Sequence, residues 1–305
     1  MLNKNQLFYE YFAEWLSLYK NGAIRPITLQ KYQMTLRHLK TLAPTLKLFS
    51  LNRQNYQKLI NKFAENHERT TVSDFNTQLK ASLLDALDDG LIKYNPARKV
   101  IIKGICQRQK KQKFLNQQEL CQLMQNLDLG EEINWDWFIY LIAKTGLRFA
   151  EALALTKVDF DLLNQTILVN KTWNYKSPQG SFHPTKNKFS NRTISIDQKT
   201  AQSFGKLLDR INDDSLIFVK GRVFNATINQ RLAELCKIAC IPTISLHGLR
   251  HTHASLLIYA DVSIANISKR LGHSNITTTQ EIYLHIIREL EIKDNGKIID
   301  FLGTI

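Results

Sequence analysis

Cysteine is scarce in this 305-residue chain: Cys106, Cys121, Cys236 and Cys240 are the whole set. None stands in a CxxC pair. That argues against an extracellular disulfide framework and points to a reducing, intracellular setting. No apolar run is long enough to span a bilayer. The opening residues soon meet Glu10, Glu14 and Trp15, unlike a secretory signal peptide. Internal repeats, low-complexity tracts and the H-E-x-x-H metal pattern are also missing. Acidic residues are few, 27 against 41 lysines and arginines, for a formal net charge of +14. Such a balance suits a polyanionic partner: DNA, RNA or an anionic membrane surface.

Hydrophobic residues make up 44% of the chain, enough for a sizeable core in one large domain or two ordinary ones. The charge is unevenly placed. Residues 1–114 hold 20 Lys or Arg and 8 Asp or Glu, a net of +12. Residues 115–305 hold 21 and 19, a net of +2. The front of the chain is suited to clamping a polyanion, and the rear to keeping its cations in a pocket.

Apolar spacing predicts helices over 6–20, from Thr28 after a break at Pro26, over 51–65 and over 72–89, the last ending at Asp89-Gly90. This is a compact helical domain. Its candidate phosphate-facing residues are Lys31, Arg37, Lys40, Lys58, Lys62, Arg69 and Lys80, each equally compatible with an ordinary solvated side chain. After Asn95-Pro96, residues 103–113 are basic and poor in apolar groups. They read as an interdomain linker in which Arg108, Lys110, Lys111 and Lys113 follow Lys103. Beyond Phe114, helices are expected from Asn116 or Gln117, over 134–144 and over 148–155. Strands are expected at 166–170, 192–196 and 216–219. Helices follow over 226–239, 248–259, 262–271 and 276–290.

Several of these segments carry chemistry. Arg148 in Thr-Gly-Leu-Arg-Phe-Ala-Glu shares a helix face with Glu151. A guanidinium fork there matches phosphate oxygens, while the bland alternative is a surface ion pair. His247-Gly-Leu-Arg250 adds an imidazole and a second guanidinium, able to offset charge on a pentavalent phosphorus. His251 and His253 crowd the same stretch. A zinc site is disfavoured because no carboxylate or cysteine set accompanies them, so they read as packing or hydrogen-bonding residues. His273 follows Gly272, and Tyr283 lies ten residues on. A phenol has an ordinary pKa of about 10, and cationic neighbours ease its ionisation. Lys186 and Lys188 sit in a turn expected between strands, where a lysine can protonate a leaving oxygen.

The ordered set Thr-Gly-Leu-Arg148-Phe-Ala-Glu151, Pro-Thr-Lys186-Asn-Lys, His247-Gly-Leu-Arg250-His-Thr-His-Ala-Ser and Leu-Gly-His273-Ser…Tyr283 resembles the tyrosine recombinase, or phage integrase, family. Its wording is closest to integrases of phages and conjugative elements of Gram-positive bacteria. The resemblance implies a two-domain, tyrosine recombinase/type IB topoisomerase-like fold. Residues 1–102 would form an all-α core-type DNA-binding domain and 103–113 a basic linker. Residues 114–290 would form a mainly α catalytic domain with a small antiparallel β-sheet, and 291–305 a tail docking on a neighbouring protomer. The family's extra arm-binding domain is expected to be lacking.

By the same resemblance, Tyr283 attacks the scissile phosphate and forms a 3′-phosphotyrosyl link. Arg148 and Arg250 hold the non-bridging oxygens, and His247 and His273 assist through hydrogen bonds and proton handling. Lys186 protonates the leaving 5′-oxygen, and Glu151 supports the arginines. No cofactor, metal or ATP is implied. Expected partners are double-stranded DNA, gripped in a C-shaped clamp, a tetramer of protomers on two sites, and accessory directionality or DNA-bending proteins, but no membrane. The expected setting is the cytoplasm of a prokaryote, at the nucleoid. A type IB-like topoisomerase and a non-catalytic DNA-binding regulator are the alternatives.

Overall fold

The computed structural model describes residues 6–105, 114–185, 188–211, 214–273, 299 and 302–303. The chain divides into two compact units, Met1–Lys110 and Lys111–Ile305.

The first unit is helical among its described residues. α1 (Phe8–Trp15) runs on through a wider π-helical turn at Leu16–Lys20, closed by the Asn21 N–H to the Leu16 carbonyl at 3.0 Å. α2 spans Pro26–Leu42. Pro26 therefore begins this helix instead of breaking the chain before one. A proline is accommodated at the first helical position because the N–H it lacks would have no partner there. α3 (Arg53–Ala64) is capped by Asn52, whose side chain accepts the Asn55 N–H at 2.8 Å. α4 covers Arg69–Asp88. Phe8, Phe12, Trp15, Leu39, Tyr56, Ile60, Phe75 and Leu79 build the shared core. Each such side chain contributes roughly 1.5–3 kcal/mol on burial. The Trp15 indole donates to Asp85 at 2.6 Å and fixes α1 against α4.

The second unit surrounds small antiparallel sheets with helices: α5 (Gln117–Gln125), α6 (Trp135–Thr145), α7 (Phe149–Leu153), α8 (Gln198–Leu208), α9 (Asn225–Ile238), α10 (Leu246–Tyr259) and α11 (Ile264–Leu271). β1 (Phe160–Asp161), β2 (Thr166–Val169) and β5 (Arg192–Ser195) form one sheet in the order β1-β2-β5, with Val169 opposite Arg192. β3 (Lys171–Trp173) and β4 (Phe182–Pro184) form a separate hairpin. On β5 the alternation turns Arg192 and Ile194 inward and Thr193 and Ser195 outward.

One expectation needs correction. The strand at 216–219 reduces to one isolated bridge between Leu216 and Thr156, because Ile217 and Phe218 plug into the core instead of extending a sheet. β4 and β5 flank the segment that holds Lys186, which itself lies outside the described residues. α8 was unexpected. Its first turn is polar and Gly205 interrupts it, yet Asp197 caps it through the Thr200 N–H at 3.0 Å and Phe204, Leu207 and Leu208 are buried. The helix expected over 276–290 lies outside the described residues.

Candidate active site

The site is assembled at helix ends. α6 stops at Thr145 because Gly146 takes a left-handed conformation, with φ of 67°. A Cβ there would stand 2.7 Å from the His253 ring, so the close approach of α10 also calls for glycine. The turn delivers Arg148 to the cap position of α7 in an extended conformation. Its backbone N–H donates to the Glu151 Oε2 at 3.0 Å and its Nη1 to Oε1 at 2.7 Å.

α10 is capped by Ser245, whose side chain accepts the Gly248 N–H at 3.1 Å. One turn later Arg250 points inward, 3% exposed. It donates from Nη1 to the Gly146 carbonyl at 2.5 Å and from Nη2 to the Leu271 carbonyl at 2.7 Å and to His273 Nε2 at 3.0 Å.

α11 ends on Gly272, left-handed with φ of 65°. The Gly272 N–H returns to the Lys269 carbonyl and the His273 N–H to the Ser268 carbonyl, both at 3.1 Å. That pattern is a Schellman turn, and it leaves the next carbonyls pointing outward. Arginines take three in succession. Arg192 Nε donates to the Arg270 carbonyl at 2.6 Å, Arg250 to that of Leu271, and Arg148 Nη2 to that of Gly272 at 2.6 Å. The negative end of the helix dipole suits this concentration of cations.

Glu151, 1% exposed, sits among them. Arg192 donates to it from Nη2 at 2.9 Å and Nη1 at 3.2 Å. Burial opposes ionisation of Glu151, but Arg192 and then Arg148 outweigh it and hold the carboxyl below its ordinary value. Burial, followed by the Arg148 charge, lowers the Arg250 guanidinium to about 9, so it stays charged at neutral pH. Burial, then Arg250 and Arg148, lowers His273 to about 4 and lowers His247 as well. His273 is thus neutral near pH 7. Since its Nε2 accepts from Arg250, its proton resides on Nδ1, as a donor.

His247 is exposed on the first turn of α10, its ring edge-on to that of His251 with centroids 4.5 Å apart. His253 is a hydrogen-bonding core residue: Nδ1 donates to the Ala143 carbonyl at 2.9 Å, and Nε2 accepts from Arg270 Nε at 2.9 Å. The structure therefore joins Arg148, Glu151, Arg250 and His273 in one hydrogen-bonded group, with His247 near enough for Arg250 and Arg148 to act on its ring. Lys186 and Tyr283 lie outside the described residues. Among the described residues no cluster of His, Cys, Asp or Glu could hold a metal ion.

Reading the sequence for site residues missed Arg192. Its signal was the strand alternation, which places it on the side of Ile194 and hence in the interior.

In the first unit, Lys31, Arg37, Lys40, Lys58, Lys62, Arg69 and Lys80 are all exposed. They do not share one surface. Lys58 and Lys62 lie one turn apart on α3, and Arg69 and Lys80 three turns apart on one side of α4, but Lys31 and Lys40 face opposite sides of α2. Lys62 also donates to the Leu42 carbonyl at 3.4 Å, near the end of α2. Arg108, Lys110, Lys111 and Lys113 lie outside the described residues.

Helices thus surround small antiparallel sheets, with two guanidiniums and a neutral imidazole gathered at one helix end. The phage integrase family model matches residues 113–289, more than half of the chain, and the chain belongs to that family. It is similar to the ICEBs1 integrase of Bacillus subtilis, 28% identical over 76% of this chain and 66% of that relative, so the match stops just short of two thirds of the relative's length. It is also similar to the integrase of Staphylococcus phage L54a, 26% identical over 95% of this chain and 93% of the relative. Among solved structures, the Tn1549 transposon integrase in complex with a circular intermediate DNA superposes with a TM-score of 0.78 at 19% identity, covering 91% of this chain and 95% of that one, a likeness of fold. No helix among the described residues is long and apolar enough to cross a membrane.

Proposed function

We propose that this chain is a site-specific DNA recombinase serving the integration or excision of a mobile element. The observation that carries the reading is the pair Arg148 and Arg250. Both are anchored on adjacent backbone carbonyls, at Gly272 and Leu271. Two guanidiniums so fixed offset charge on the non-bridging oxygens of a phosphate as a fifth ligand approaches. His273 and His247, neutral near pH 7, act as hydrogen-bond partners and add no further charge. Tyr283 is the nucleophile: it releases its phenol proton to solvent, and the phenolate Oη bonds to phosphorus as the bond to the 5′-oxygen breaks. Lys186 gives that oxygen its proton. The 3′-phosphotyrosyl link preserves the phosphodiester's free energy, so the reverse attack by a 5′-hydroxyl rejoins DNA with no ATP or metal step. Residues 1–102 act as the core-type DNA-binding domain. Protomers assemble as a tetramer on two sites, exchanging strands through a Holliday junction, with accessory bending or directionality proteins. The work is done in the cytoplasm.

A suicide duplex nicked near the cleavage point tests this. The full chain should form a covalent protein–DNA adduct, and Tyr283→Phe should form none. Equal adduct from both would remove Tyr283 as nucleophile. Relaxation of a plasmid without recombination of two sites would favour a topoisomerase instead.

A further inference from the structure

Among the described residues of the second unit, Arg192 is the most enclosed cation that the chemistry above leaves without a task. Its side chain is 3% exposed, and the carboxylate it meets is 1% exposed. A buried ion pair of this kind is weak evidence for stability, because desolvating two charges can cost as much as their attraction returns. Its geometry is more telling. The guanidinium donates to four oxygens on three segments: both oxygens of Glu151, the Arg270 carbonyl on α11, and the Ser190 carbonyl at 2.9 Å. A Cβ on Gly272 would stand 2.9 Å from its Nη1, so the turn that presents the last carbonyl is moulded on this side chain.

Glu151 spreads its two oxygens over two arginines, Arg148 and Arg192. With Arg192 absent, the carboxylate would face Arg148 alone. Glu151 would then be free to turn, and the Arg148 guanidinium bonded to it would turn with it. Arg192 holds Glu151 from the other side, while the Arg148 side chain, 30% exposed, keeps Nη1 on Glu151 and Nη2 on the Gly272 carbonyl.

We propose that Arg192 is a positioning residue for phosphate cleavage: by sharing Glu151 and gripping the end of α11, it sets the direction of the Arg148 guanidinium. This rests on the recombinase reading. A lysine at 192 keeps the charge but cannot supply the fork of parallel donors.

The test is the single-turnover rate constant for adduct formation by Arg192→Lys in the full chain. A first-order rate constant does not depend on how much of the protein is folded. Two suicide duplexes are used, one with the normal scissile phosphate and one with a neutral methylphosphonate in its place. On the normal duplex the rate constant should fall roughly 100-fold, the size of effect a misplacement near 1 Å produces. On the methylphosphonate duplex, where less charge needs to be met, the loss should shrink at least about tenfold relative to wild type. A merely structural role predicts equal loss on both duplexes, and that result, or no loss on either, overturns the proposal. Absence of wild-type adduct on the normal duplex would be a separate result, sinking the recombinase reading itself.

Discussion

Lys58 and Arg250 carry the same formal charge under different physics. Lys58 is exposed on α3 in a unit whose described basic candidates all reach solvent. Arg250 is buried in the second unit, with a defined partner for each terminal nitrogen. Surface cations act by number. Each is screened over about 8–10 Å, can be replaced by a neighbour, and contributes through counterion release. Enclosed cations act by position, and their partners are carbonyls and one shared carboxylate. The contrast follows the sequence, with a net of +12 over residues 1–114 and +2 over 115–305. A rear half that is nearly neutral can still be strongly cationic at one point, provided its charges are paired everywhere else.

The sharpest way to break this contrast is Arg250→Ala. It should lower the adduct-forming rate constant roughly 100- to 1000-fold, as loss of one oriented donor does. Affinity for DNA should stay within about tenfold, since one phosphate contact is lost among many. A variant that bound poorly but cleaved at the normal rate once saturated would put Arg250 among the surface-type cations.

A second prediction concerns protons. Burial, then Arg270, lowers His253 to about 3. Between that value and its ordinary 6.5, the unfolded chain binds the proton and the folded chain does not. Stability is therefore unaffected by this group above about pH 6.5 and falls as pH drops through the window, approaching about 1.4 kcal/mol per pH unit. His273 adds the same sign down to about 4. Replacing His253 with glutamine, which can still both donate and accept, should flatten the acid slope in urea unfolding. An unchanged slope would mean that His253 protonates freely in the fold.

The smallest effect belongs to the surface. Lys58→Ala should weaken binding alike on specific and unrelated DNA and reduce the slope of log affinity against log salt by about 1. A selective loss at one sequence would instead place Lys58 against base edges.

Much of the site was legible because its residues stand at helix boundaries that leave marks. Gly146 before Arg148 and Gly272 before His273 announce left-handed helix ends, and Ser245 before His247 announces a cap. Arg192 left a fainter mark. In Arg-Thr-Ile-Ser-Ile it reads as the polar start of a strand, and its one mark is the alternation that puts it on the same side as Ile194. α8 was hidden by local composition, since Gly205 and a polar first turn obscure an apolar face that tertiary burial makes decisive. Among the basic residues of the first unit, exposure was legible, but opposed directions such as those of Lys31 and Lys40 emerge only once the helix is drawn.

The turn from Arg270 to Gly272 can also be regarded as a solvent. In bulk water a guanidinium is hydrated and attended by mobile anions, and an arriving phosphate must dislodge both. Here three peptide oxygens stand in for that shell, already oriented and neutral. The reorganisation that water would undergo during the reaction has taken place when the chain folds. Chloride should therefore compete with DNA for the outer lysines far more than for the arginines at this helix end.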